Sequence, residues 1–174
     1  MKKRLHIFKF TFLVFCIFFI SSRVVLSDIS NTSLRKHFSL PSNEWKWSKK
    51  STQDQDKEFL SLNHKKLEAA LSIDARTDYI PMDAKVYLVE IRKLLAEDKQ
   101  TYKEAQVSPV EVKSLEGKDW QTFRINSSDG LRQELWTRKI GPLQVILFTY
   151  TSIGDTFEDY YGDFKKVLKQ ASKL

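Results

Sequence analysis

Hydrophobic and polar positions alternate with period two along most of the chain from Phe38 onward, broken by two stretches of helical spacing. In "HFSLPSNEWKW", Phe38 and Leu40 alternate with polar residues, Pro41 turns the chain, and Trp45 and Trp47 stand two apart. This predicts a strand, a turn and a second short strand. After a charged loop, "EFLSLNH" and "LEAALSIDARTDY" resume the alternation, the second placing Leu67, Ala69, Leu71 and Ile73 on one face of a half-buried strand. Beyond Pro81, Asp83 suits a helix N-cap, and good helix formers follow. The spacing predicts a helix from Ala84 to Tyr102 with Tyr87, Ile91, Leu94, Leu95 and Tyr102 as its apolar stripe.

Four more strand-like segments follow: "PVEVKSL", "DWQTFRIN", "LRQELWTRKI" and "LQVILFTYTS". Their connections, Ser127-Ser128-Asp129-Gly130 and Ile140-Gly141-Pro142, are short, so neighbours pair antiparallel. Leu143 to Tyr150 is apolar at every second position on both sides, the mark of a central strand covered on each face. A turn at Gly154 then leads into a helix capped by Asp155 or Thr156. Its buried stripe is Phe157, Tyr160 or Tyr161, Phe164, Val167, Leu168 and Ala171, with Asp163 on the polar face. Acids gather in its first turn and lysines in its last, as the helix dipole favours. The fold class is therefore α+β: a mostly antiparallel sheet of about six to seven strands, with helices over both faces in an α/β/α sandwich.

The N-terminus has a different pattern. Lys2, Lys3 and Arg4 precede an apolar run from Phe10 to Ile20, followed by Ser21, Ser22 and Arg23. This is the layout of a secretory signal peptide, and Lys9 and Arg23 bracket a run shorter than the roughly 20 residues of a spanning helix. Cleavage is expected after Ser27, with Ser22 as second site and retention as an anchor as the alternative. Residues 1–27 form the leader, 28–37 a linker or lead-in, and 38–174 a single domain. The expected location is exported, periplasmic or secreted, with no transmembrane span after cleavage.

Charge and cysteine are read differently once the leader is set aside. The chain carries 29 Lys and Arg against 22 Asp and Glu, a net +7, and five of those seven charges lie in residues 1–27. The remainder mixes both signs, so the basic balance is no argument for nucleic acid. The single cysteine, Cys16, is in the leader. The exported part thus has no thiol for a disulfide, a CxxC pair or a nucleophile. Roughly 147 residues bury about two-thirds of their unfolded surface, enough for one core.

Candidate chemistry is sparse. His37 and His64 lack metal-ligand spacing, and a zinc site needs three or four ligands. His64 is expected as a surface or strand-end residue. Asp54, Asp56 and Glu58 stand two apart but lack the glycine and terminal glutamate of a calcium loop. Asp155, Glu158, Asp159 and Asp163 sit where dipole compensation places acids. No GxSxG, P-loop or GxGxxG is present. No catalytic residue, metal ligand or cofactor is assigned. Four tryptophans, Trp45, Trp47, Trp120 and Trp136, mark an aromatic-lined groove as the expected binding site.

"FSLPSNEWKWS" and "DWQTFRINSSDGLRQELWTRKIGPLQVILFTYTSIGDTFEDYYGDFKKVLKQ", with the element order between them, resemble the PsbP-like family. The resemblance covers most of Phe38 to Leu174 and rests on packing and turn residues. It implies an α/β/α sandwich in a bacterial exported member that serves as a non-catalytic binding or assembly module of the envelope. Its partner would be a protein or small-molecule ligand there, and the chain is expected to be a monomer. The alternative is a small exported hydrolase whose carboxylates meet only in the fold.

Overall fold

The computed structural model describes residues 34–48, 58–66, 68–77, 83–98 and 104–174. The leader, the acidic loop with Asp54 and Asp56, Leu67 and Tyr102 lie outside the described residues. A 3-10 turn at Leu34–His37 opens the description. The strands are β1 (Trp45–Trp47), β2 (Glu58–His64), β3 (Ala69–Thr77), β4 (Gln106–Val107), β5 (Glu111–Leu115), β6 (Lys118–Asn126), β7 (Leu131–Gly141) and β8 (Gln144–Ile153). Helix α1 spans Ala84–Glu97, between β3 and β4, and α2 spans Phe157–Ala171 after a 3-10 turn at Gly154–Thr156.

All eight strands among the described residues join one antiparallel sheet, in the order β1-β2-β3-β8-β7-β6-β4, with β5 also on β6. The expected six to seven strands become eight because Gln106–Val107 forms a two-residue strand too short to leave a periodic signal. β8 is central, paired to β3 from Ala69↔Ser152 to Thr77↔Gln144 and to β7 from Leu131↔Ile153 onward. Its alternating residues divide between two cores. Ile146, Phe148 and Tyr150 pack with Phe157, Phe164, Val167, Leu168 and Ala171 of α2. Leu147 packs with Phe123, Ile125, Leu135 and with Leu88, Ile91 and Leu95 of α1.

Several local expectations change. Phe38 to Leu40 is not a strand: the 3-10 turn precedes it, and Phe38 drops into the core with its ring 5.8 Å from that of Phe148. Leu34 is also buried, so packing begins within the segment expected as linker. Asp83 caps α1 through Lys85 N and Val86 N, at 2.7 and 3.1 Å, but the helix ends at Glu97. Its buried stripe is Leu88, Ile91 and Leu95, and Leu94 is 50 % exposed. Leu94 falls roughly 90° around the helix from the middle of that stripe, and Leu88 takes the place expected for it. At α2 neither expected side chain caps the helix; Thr156 Oγ1 donates to Ile153 O instead, at 2.9 Å. The buried stripe of α2 matches the expectation at Phe157, Phe164, Val167, Leu168 and Ala171, while Tyr160 and Tyr161 are only partly buried.

Candidate binding site

The four tryptophans do not line one groove. Trp120 and Trp136 are 0 % and 1 % exposed and meet edge to face, with centroids 6.1 Å apart. Trp45 is buried at the other end of the sheet, against His64 and Tyr160. Only Trp47 keeps part of its ring accessible, and the Arg35 guanidinium stands 3.7 Å from its centroid. Alternation carries the reason: Trp45, Trp120 and Trp136 occupy inward positions of their strands, where large apolar area is worth most when buried.

Charge converges instead around Glu134. This residue lies on β7, opposite Arg124 of β6 in the register and next but one to Trp136. Its side chain is fully buried. Lys113 of β5 reaches one carboxylate oxygen at 3.2 Å, and Arg124 Nη2 reaches the other at 3.1 Å. Tyr161 of α2 hydrogen-bonds to the same carboxylate. Burial alone would raise the Glu134 pKa, but Tyr161, Arg124 and Lys113 more than offset it and hold the group below the ordinary carboxylate range. For Tyr161 burial, then the adjacent carboxylate, pushes the phenol well above its usual value.

A further cation, Lys165, comes from α2. Its Nζ stands 3.9 Å from the Trp136 ring centroid, and Lys113 Nζ stands 5.6 Å from the same centroid. Burial lowers the Lys165 pKa; Glu134 acts against this, while Lys113 and Arg124 add to it. Beside this cluster a cleft of about 450 Å³ opens between the β6–β7 turn and the start of α2. Arg124, Asn126, Ser127, Arg132, Phe157 and Glu158 are among its walls. That volume lies within the range of small-molecule sites. A second cleft of about 460 Å³, by Asp83, Asp119 and Arg138, has charges of both signs.

His64 is at the strand end, as expected, but is fully buried rather than on the surface. Its Nδ1 accepts from Lys66 N at 3.4 Å, its Nε2 lies 3.7 Å from Glu44, and its ring is 4.1 Å from that of Tyr160. His37 is exposed. Among the described residues, no group of three or more His, Cys, Asp or Glu stands close enough to hold a metal ion. Nor is any helix there long and apolar enough to cross a membrane. Asp163, expected on the polar face of α2, accepts hydrogen bonds from Trp45, Ser42 and Lys166.

Sequence reasoning passed over Glu134, although one signal was available. In "LRQELWTRKI" the positions alternating with Trp136 are Arg132, Glu134 and Arg138. Such a row places charges on the face that also holds buried tryptophan, and buried charges require partners.

No protein-family model matches the sequence, and no curated protein matches it. Solved structures do. The solution structure of cyanobacterial PsbP (CyanoP) from Synechocystis sp. PCC 6803 superposes with a TM-score of 0.52 at 14 % identity, covering 74 % of this chain and 81 % of that one. The crystal structure of LpqN, involved in cell envelope biogenesis of Mycobacterium tuberculosis, aligns with a TM-score of 0.34 at 11 % identity over 75 % of each chain. The antiparallel order of the sheet, with its closing amphipathic helix, is therefore a PsbP-like fold.

Proposed function

We propose that this chain is an exported binding or assembly module of the cell envelope, without catalysis of its own and acting as a monomer. The two helices, packed into separate cores, are read as the outer layers of an α/β/α sandwich. The leader reading supports export. The observation that carries the binding function is the gathering of Lys113, Arg124 and Lys165 around Glu134 and Trp136, where β5, β6, β7 and α2 meet, with Arg124 also walling, together with Arg132, a cleft of binding size. The carboxylate in their midst is consumed by internal pairing, so the excess of positive charge is directed at something else.

A carboxylate hydrolase has less support. Its general acid would need a raised pKa, and Glu134 is held the other way. Two measurements test the proposal. N-terminal sequencing of the protein from fractionated cells is expected to begin at Asp28; an intact Met1 in the membrane fraction would contradict export. Chemical crosslinking in the envelope is expected to trap a component with the wild type and lose it with the double variant Arg124→Glu/Arg132→Glu. Equal trapping by both would move the binding surface elsewhere.

A further inference from the structure

We propose that Lys113, Arg124 and Lys165 form a site for a small phosphate-type oxyanion beside Trp136, an assignment that rests on the binding-module reading and names its ligand class. Three cations from β5, β6 and α2 surround one carboxylate. Lys113 and Arg124 each occupy an oxygen of Glu134, at 3.2 and 3.1 Å. Lys165 has no ion pair among the described residues; its Nζ faces the rings of Trp136, 3.9 Å from the centroid, and Tyr161, 5.2 Å from the centroid. An ammonium removed from part of its hydration needs a counter-charge, and an aromatic face replaces only some of what was lost. The lowered Lys165 pKa has this origin. The cluster therefore carries two more positive than negative charges.

The unused hydrogen-bonding capacity indicates what would balance them. Arg124 Nε is buried and has no hydrogen-bond partner among the described residues. Thr122 Oγ1 is likewise without one; Thr122 is 1 % exposed, two residues from Arg124 on the same face and opposite Trp136 in the register. With the Lys165 ammonium, these are donors from β6 and α2; the acceptors beside them are the threonine hydroxyl itself and Glu134 Oε2, whose charge is already matched by Arg124 Nη2 at 3.1 Å. A ligand that satisfies them is acceptor-rich and doubly negative. A single carboxylate supplies one charge and two oxygens. A tetrahedral phosphate supplies two charges and three or more oxygens, whether free or as a monoester headgroup.

The test is calorimetric titration of the purified protein with inorganic phosphate and with pyrophosphate, at ionic strength held constant with chloride. Co-sedimentation with phosphatidic acid vesicles against phosphatidylcholine vesicles forms a second arm. Lys165→Met removes the unpaired cation without touching the Glu134 pairs, and Lys173→Met, at the exposed end of the chain, makes the same change in net charge. Binding of either soluble anion, weakened about tenfold or more by Lys165→Met and unchanged by Lys173→Met, is the expected result. Binding only to phosphatidic acid vesicles with the same variant dependence would assign the oxyanion to a lipid headgroup and equally support the site. Binding in neither arm, or binding that Lys165→Met leaves intact, would overturn it. If neither arm binds while envelope crosslinking persists in Lys165→Met, the oxyanion site falls and the binding-module reading stands.

Discussion

Trp45 donates its indole N–H to Asp163 Oδ2 across 2.9 Å, tying the three-residue edge strand β1 to the middle of α2. Ser42 Oγ donates to the same oxygen at 3.2 Å, and Lys166 holds the other at 2.7 Å. Among the described residues β1 has only β2 as a sheet neighbour, through three residue pairs. An edge strand that short has little ladder to hold it, so its attachment depends on the buried Trp45 ring and on this carboxylate.

Asp163→Ala is therefore expected to destabilise the domain by about 1.5–3 kcal/mol, because it strands a buried indole donor and removes a charged acceptor. Asp163→Asn keeps an acceptor oxygen and should cost clearly less. Urea unfolding followed by tryptophan fluorescence measures both. A change in Asp163→Ala below about 0.5 kcal/mol, the range of ordinary surface substitutions, would mean that the Trp45 tie contributes nothing.

Glu134 and Asp163 together set the acid limit of the fold. Burial would raise both carboxyl pKa values, but hydrogen bonds and neighbouring cations reverse this and leave both lowered. A carboxyl lowered in the folded state contributes stability above its unfolded pKa, about 4, and loses it as pH falls through the folded value. Stability in urea should thus be level near neutrality and decline below roughly pH 4–5. Glu134→Gln should cost several kcal/mol at pH 7, about 3–5, by leaving Arg124 and Lys113 unpaired, and should flatten the acid decline. An acid decline as steep in Glu134→Gln as in the wild type would assign it to other groups.

What the sequence made legible follows the periodicity of burial. β2, β3, β6, β7, β8 and α2 repeat an inward position every two residues, or every three to four, and this periodicity alone places Leu62, Ile73 and Phe148 on the strands and Phe164 on the helix correctly. Leu34 and Phe38 are as buried as these, but a 3-10 turn and an irregular segment carry one inward residue each and so no period. The Glu134 cluster was illegible for another reason. Lys113 is 21 residues from its acid and Lys165 is on the last helix. A lone charge in a strand reads as solvent-facing until folding supplies partners from elsewhere. The tryptophans misled in the opposite direction, because residues that serve a ligand groove serve a core equally well.

The turn between β8 and α2 gives a third test. Gly154 has φ +67°, and its N–H donates to Gly130 O at 2.8 Å, joining the turn to the β6–β7 hairpin. A Cβ there would meet nothing within 4 Å, so Gly154→Ala carries a conformational cost without a clash. That cost is about 1–2 kcal/mol for an L-residue held in the left-handed region. Asparagine tolerates the region better, so Gly154→Asn should melt above Gly154→Ala. The reverse order would show that the turn reshapes on substitution.

The aromatic stripe of α2 gives the strongest contrast. Phe164 is 1 % exposed, stacks on Tyr150 with centroids 5.1 Å apart and planes 13° apart, and meets the Trp136 edge at 6.3 Å. Tyr150 is itself fixed by its hydroxyl, which donates to Phe157 O at 2.9 Å. Truncating such a phenylalanine costs about 3–5 kcal/mol, since the rings around it cannot close the space. For a domain of this size that lowers the melting temperature by about 10 °C. Asp163 cannot serve as the neutral neighbour in this comparison, because it holds Trp45. Asp159, exposed and one turn earlier, can, and Asp159→Ala should move the transition by no more than about 1–2 °C. A helix rotated by a residue or two would bring Asp159 toward the sheet and Phe164 away from it, reversing the ranking. Equal, wild-type melting of both variants would make α2 peripheral, and the core built on Tyr150 and Trp136 would then need another cover.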